Sequence, residues 1–326
     1  MLSAAPAAQT SLGRAPPRGA TRGRRLPTRE KAPAGPARSL LGRCAFEARE
    51  GRVALAVSGG PDSLALLALA CETGADVTAY HVDHGLRSGS ASEAGVVESA
   101  ARALGAGFEA RRVIVEPGPN LEARARAARW AVLPPGAATG HTADDQAETV
   151  LLNLLRGAAL DGLAGMRLGP RHPILRLRRS ETEELCRALH LEPVRDPSNN
   201  DPSFLRNRVR HELLPALGTL SGRDLVPVIV RQAALMAADA DLLDQFAASI
   251  DVRDAAALAG APAPLARRTV RRWLRGSSEH PPPSADVDRV LAVARGEARA
   301  TQVSGGTVVR RLRGRLVAEP PGGSEG

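Results

Sequence analysis

The spacing of apolar positions changes character along the chain. Between residues 50 and 155, short apolar runs alternate with stretches whose apolar positions recur every three or four residues. Arg52–Val57, Val77–Val82, Phe108–Val115 and Ala137–Gly140 read as strands. Pro61–Cys71, Ser92–Leu104, a segment capped by Asn120 and ending at Leu133, and Thr142–Leu155 read as helices. In the first of these, Leu64, Leu67 and Ala68 form one apolar face. Strands separated by helices predict an α/β fold: a Rossmann-like parallel sheet with helices on both faces. After Gly157 a smaller, mainly helical region is expected. It has a loop over 162–173, helices over 182–190 and 203–214, and one or two helices between 223 and 250. Two more helices fall near 264–274 and 285–294, and a hairpin turns at Gly305–Gly306. The expected organisation is a disordered basic extension over 1–38, an α/β domain over 39–216 and a helical domain with a terminal hairpin over 217–326.

Charge refines this picture. The formal net charge is +9, but residues 1–38 hold eight Lys/Arg against one acid, while the remainder holds 36 against 34. Any nucleic-acid surface on the folded part is therefore a local patch rather than a global field. Arginine carries almost all of it, since Lys31 is the only lysine in the chain. Acid-free arginine clusters fall at 167–179, 267–275 and 310–315, and Arg206, Arg208 and Arg210 lie beside the apolar stripe Leu205, Val209, Leu213. Such clusters suit phosphate contacts along a folded RNA, with Arg271 and Arg272 among the candidates. Three scattered cysteines give neither a disulfide framework nor a metal spacing, which points to a reduced, cytoplasmic setting. No apolar run reaches membrane-spanning length, so no membrane partner is expected. The oligomeric state, a homodimer included, stays open.

The candidate chemistry begins at VALAVSGGPDS, Val53–Ser63. An apolar strand drops into Ser58-Gly59-Gly60-Pro61-Asp62-Ser63 and then a helix. The glycines permit a tight turn and close approach of an anion, and the helix start adds free amides and the positive dipole end. The blander alternative is a glycine turn with Asp62 and Ser63 as helix-start residues. With no lysine in reach, a phosphate held here is held by backbone amides, hydroxyls and a cation. Asp62 makes sense beside phosphate if it holds Mg²⁺.

SGGPDS resembles the PP-loop of the N-type ATP pyrophosphatases, which split ATP between the α and β phosphates and adenylate a substrate oxygen. HVDHGLRSGSASEA (81–94), NLEARARAARW (120–130), TGHTADDQAETVLLNLLRG (139–157) and RDPSNNDPSFLRNRVRHELLPAL (195–217) extend the resemblance to the tRNA(Ile)-lysidine synthetases. The resemblance covers about residues 50–217. It implies ATP and Mg²⁺, a tRNA(Ile) with a CAU anticodon, and free L-lysine ligated to C2 of the wobble cytidine with release of AMP and pyrophosphate. ATP would meet Ser58 through Ser63, with His81 and Asp83 at the end of the second strand. His141 would touch the α-phosphate or the cytosine. Asp144, Asp145 and Glu148 open one helix, and Asp145 and Glu148 share a face. Acids there offset the helix dipole, but three in one turn also suit a bound cation. The expected lysine ligands are Asp145 and Glu148, one of which accepts the amine proton. Two rivals remain from sequence: a tRNA thiolase of the same superfamily, and a non-catalytic, nucleotide-gated tRNA-binding protein.

Overall fold

The computed structural model describes residues 35–46, 52–83, 90–113, 121–194, 201–276 and 282–320. His84, Arg87, Asn120 and most of the predicted basic extension lie outside them. The end of that extension is helical: α1 spans Pro36–Leu41 and buries Ala37.

The α/β part runs β1 (Arg52–Ala56), α2 (Pro61–Glu72), β2 (Asp76–Asp83), α3 (Ser90–Leu104), β3 (Gly107–Arg112), α4 (Leu121–Val132), β4 (Ala138–Thr139) and α5 (Ala143–Leu155). The four strands are parallel in the order β3-β2-β1-β4. β2 and β3 are added outward on one side of β1, and the chain then crosses back to place β4 on the other. Right-handed connections therefore put α4 on the face opposite α2 and α3. The order reverses between β1 and β4, and ligands bind in the crevice at such a reversal. Buried residues of β1, β2 and α3 pack against α2, whose Ser63–Ala70 are all buried.

The two strands meet that crevice tightly. A Cβ added at Gly140, just past β4, would lie 2.7 Å from the carbonyl oxygen of Asp62 and 2.9 Å from the Cα of Ser63. Neither backbone atom can yield without moving the start of α2. Gly140→Ala should cost about 1–3 kcal/mol and displace the loop ahead of α2. A lowered melting temperature together with a raised KM for ATP is the expected pair of readouts.

The rest comprises α6 (Leu160–Leu163), α7 (Arg179–Ala188), α8 (Leu205–Arg208), a π-helical turn (Val209–Leu213), α9 (Leu214–Ser221), α10 (Val226–Ala248), α11 (Ala255–Gly260), α12 (Ala263–Arg275), α13 (Ser284–Arg295) and strands β5 (Ala300–Gln302), β6 (Val308–Leu312) and β7 (Arg315–Glu319). Five differences from the sequence reading stand out. The 162–173 loop begins inside a short helix. α7 starts three residues earlier than expected. The helix at 203–214 runs on to Ser221 through a π turn. α11 is additional, and the hairpin is the first half of a three-stranded antiparallel sheet. β5–β7 and α11–α13 share one core around Val290, Val309 and Leu316. α10 packs against both α5 and α12.

Candidate active site

Local sequence sets the loop. Gly59 has φ +89°, and its missing Cβ leaves room for Val194 Cγ2, 3.1 Å from where that atom would sit. Gly60 is the extended N-cap of α2, with Pro61 following at the first turn. The cap provides no side-chain hydrogen bond, so the helix start keeps amides available for an anion. The Ser63 hydroxyl donates to Gly60 O at 2.9 Å and accepts from the Ser58 amide at 3.2 Å. It also lies 3.2 Å from Ser58 Oγ, which closes the turn on itself.

His81 is buried, and its Nδ1 lies 3.0 Å from Val57 O, at the strand end that feeds the loop. A carbonyl can only accept, so Nδ1 carries the proton and Nε2 is a buried acceptor without a partner. Asp83, at the far end of β2, lies 3.7 Å from Arg112 of β3.

Across the crevice the structure brings together what the sequence kept apart. Asp145 Oδ2 accepts from both the amide (2.9 Å) and the hydroxyl (3.0 Å) of Thr142, the N-cap of α5. This leaves Oδ1 to face Arg179 at 3.1 Å and Arg206 at 2.8 Å. Glu148, with a side chain 0% exposed, takes Arg179 at 3.3 Å, Arg206 at 2.8 Å, and Arg210 at 2.6 and 3.1 Å. Burial pushes the Asp145 carboxyl upward. The Arg179 and Arg206 guanidiniums and the Thr142 amide outweigh it and hold the group below the usual carboxylate range.

Asp62 behaves oppositely. Burial and the nearby Asp145 charge push it up to about 6, against the pull of the Thr182 hydroxyl and of Arg179, whose Nε is 3.4 Å away. Arg179 thus spans the crevice, touching the loop acid and the α5 acids with one guanidinium. Asp144 accepts from Arg178 at 3.1 Å through both oxygens and from the Arg179 amide at 2.8 Å, which fixes the start of α7. It holds a neighbouring helix as well as opening its own.

Three placements differ from the sequence reading. Arg206 and Arg210, expected on an RNA-facing surface, direct their guanidiniums onto Asp145 and Glu148. Arg206 sits in α8 and Arg210 in the π turn that follows it. Arg208 alone of the three is well exposed, 3.5 Å from Glu212. Arg179, assigned to a phosphate-contacting cluster, is the central cation of the site. On α12, Arg271 pairs with Asp161 at 3.3 Å, whereas Arg272 is exposed.

His141 lies just beyond β4. Its Nδ1 is 2.6 Å from the Thr139 hydroxyl, which also lies 2.9 Å from His172 Nδ1. Arg171 stacks over the Trp130 ring at 4.8 Å, and its carbonyl accepts from the Thr139 amide, which sets His172 in place. Sequence reading placed Arg178 and Arg179 only in an arginine cluster for phosphate contacts and did not single out Thr182 or His172. None has a local signature, because each acquires its role from a partner more than 30 residues away. Beside Glu148 and Arg179, a cavity of about 510 Å³ opens toward the turn between α9 and α10.

A PP-loop domain model matches residues 37–217, and a TilS substrate binding domain model matches residues 254–317. The tRNA(Ile)-lysidine synthase of Nocardia farcinica is 40% identical over 81% of this chain and 90% of its own length. The chain belongs to the tRNA(Ile)-lysidine synthase family. The family member from Salinispora tropica gives the same 40% over 83% of this chain and 92% of its own. Among solved structures, the U34-tRNA thiolase NcsA from Methanococcus maripaludis with its [4Fe-4S] cluster aligns with a TM-score of 0.47 at 17% identity, covering 62% of this chain and 78% of that one.

Two of the three cysteines, Cys44 and Cys186, are poorly disposed for the sulfur chemistry of a thiolase. Burial pushes Cys44 up to about 11 and Cys186 up to about 12, so both stay thiols at neutral pH. Among the described residues, no group of three or more His, Cys, Asp or Glu is placed to hold a metal. No single described helix is long and apolar enough to cross a membrane.

Proposed function

We propose that this chain ligates free L-lysine to C2 of the wobble cytidine of a tRNA(Ile) with a CAU anticodon, consuming ATP. The observation that carries the reading is the reach of Arg179. It joins the PP-loop acid Asp62 to Asp145 and Glu148, so nucleotide and amine are handled one guanidinium apart. In the first step the cytidine C2 oxygen attacks the α-phosphorus and pyrophosphate leaves. The loop amides and the serine hydroxyls hold the leaving group. In the second step the lysine amine attacks C2, AMP leaves and the amine loses a proton.

Asp62 fits Mg²⁺ as a single carboxylate, since that ion is commonly held by one or two carboxylates plus substrate phosphates. Bound there, Mg²⁺ would neutralise charge on the departing pyrophosphate, and Asp62 would release Arg179 to accommodate it. Asp145 and Glu148 bind the lysine ammonium in exchange for one of the three guanidiniums they hold. Arg206, with a side chain 40% exposed against 20% and 22% for Arg179 and Arg210, is the easiest to displace. His141 sits at the carboxyl end of β4, where the adenylated base would lie. Arg208 and Arg272 meet RNA phosphates.

The test is AMP release. It should require ATP, lysine and the tRNA together, and a transcript with uridine at the wobble position should not support it. Mass spectrometry of the digested product should place a lysine on that one nucleoside. ADP and orthophosphate as nucleotide products would exclude the reading.

A further inference from the structure

Two histidines from different segments converge on one hydroxyl at the carboxyl end of β4. His141 Nδ1 lies 2.6 Å and His172 Nδ1 2.9 Å from Thr139 Oγ1, and the two nitrogens are 3.3 Å apart. The rings meet edge to face, with centroids 5.0 Å apart. The Arg171 carbonyl, 3.1 Å from the same hydroxyl, already accepts from the Thr139 amide at 2.9 Å.

A hydroxyl has one proton and can satisfy one acceptor with it. The two ring nitrogens cannot both be acceptors, so at least one Nδ1 carries a proton. That ring, when neutral, has its lone pair on Nε2 at the opposite edge. The other Nδ1 can receive the hydroxyl proton. Thr139 therefore joins a donor imidazole to an acceptor imidazole, and a proton taken up at one Nε2 can be matched by one given up at the other.

The ligation has protons to move. The lysine side chain arrives as an ammonium with three protons, and its finished link to C2 keeps one. One proton leaves before attack, because a lysine amine is largely protonated at neutral pH. Another leaves after the nitrogen–C2 bond forms and the C2–oxygen bond to AMP breaks. Asp145, held below the usual carboxylate range, does not keep a proton, and a charge on His141 is felt at Asp145. The wire thus starts beside the acids that hold the amine. It ends at half-buried His172, next to the exposed Arg171.

We infer that His141, Thr139 and His172 form a relay that carries the amine protons from the reacting nitrogen to solvent. The inference rests on the lysine-ligating reading above. His141 takes the proton on Nε2 and gives its Nδ1 proton to Thr139. The Thr139 proton passes to His172 Nδ1, and the Nε2 proton of His172 goes to water. His172 acts through His141 and is a positioning residue.

The test follows lysine transfer apart from adenylation: adenylated tRNA is formed with ATP alone, and lysine is then added. In the wild type, transfer should slow in heavy water, with a curved dependence on deuterium content because several protons move together. His172→Asn keeps a hydrogen-bonding group near the Nδ1 position and cannot pass a proton on. It should slow transfer by about 100-fold, far more than it slows adenylation, and make the deuterium dependence linear. Thr139→Val should do the same, and Thr139→Ser should restore transfer. A structural role would instead slow both steps by one factor. That result, a curved dependence surviving in both His172→Asn and Thr139→Val, or a wild-type transfer step indifferent to heavy water overturns the inference. A wild-type chain that forms adenylated tRNA and never transfers lysine overturns the reading beneath it.

Discussion

Glu148→Gln should abolish lysine transfer while sparing more of the adenylation step. The residue is fully buried and accepts five hydrogen bonds from Arg179, Arg206 and Arg210. Removing its charge leaves three guanidiniums facing Asp145, with Asp62 reached by Arg179 alone. Breaking one member of a buried ion cluster costs roughly 3–5 kcal/mol. The melting temperature should fall, and lysine-dependent turnover should drop by about 100-fold or more. Labelled ATP separates the steps: adenylated tRNA should still form, more slowly, and should accumulate. Undiminished turnover at saturating lysine would mean that Glu148 neither holds the amine nor accepts its proton. Asp145, kept below the usual carboxylate range, takes a proton only from a strong acid, such as the ammonium newly attached to the base.

Acidification should switch off ATP use through Asp62. Its carboxyl is pushed up to about 6, so it is charged at neutral pH and largely protonated at pH 5. Once protonated it attracts neither Arg179 nor a magnesium ion. The kcat/KM for ATP should therefore fall about tenfold per pH unit below 6, while Asp62→Asn should show a low, flat profile. Stability runs the other way. A carboxyl whose folded pKa exceeds its unfolded value of 3.8 favours the folded state most below pH 4, and that contribution is lost as pH rises through 6. At pH 8, Asp62→Asn should consequently melt no lower than the wild type despite being inactive. A large loss of stability in Asp62→Asn at pH 8 would show instead that the charged Asp62–Arg179 contact supports the fold.

The strand–loop–helix at 52–72 was legible because three local signals agree there: an apolar run, two glycines and a proline at the helix start. β1, β2 and α2 accordingly fall within a residue of their expected ends. Asp145 and Glu148 were legible as a pair because helical spacing alone puts them on one face. Their partners were not. Arg206 and Arg210 carry the same pattern as a solvated helix face, and only tertiary packing turns them inward. The π turn, which depends on a hydrogen-bond shift rather than on composition, left no mark in the apolar period. β7 was missed because it buries little beyond Leu316. The cavity beside Glu148 is lined by segments that run from Asp144 to Val226 and has no linear signature.

The three guanidiniums resting on Asp145 and Glu148 have a chemical consequence. A protein that makes a base electrophilic toward primary amines must not offer one of its own at the point of attack. Partial burial works against the charge on Arg179, but Asp145, Glu148 and Asp62 outweigh it and drive the group still further toward its protonated form, so it has no lone pair to spend on the activated ring. Arginine can keep those carboxylates company between turnovers without becoming joined to the RNA. With its single lysine at position 31, far from this site in sequence, the chain keeps self-labelling out of the competition.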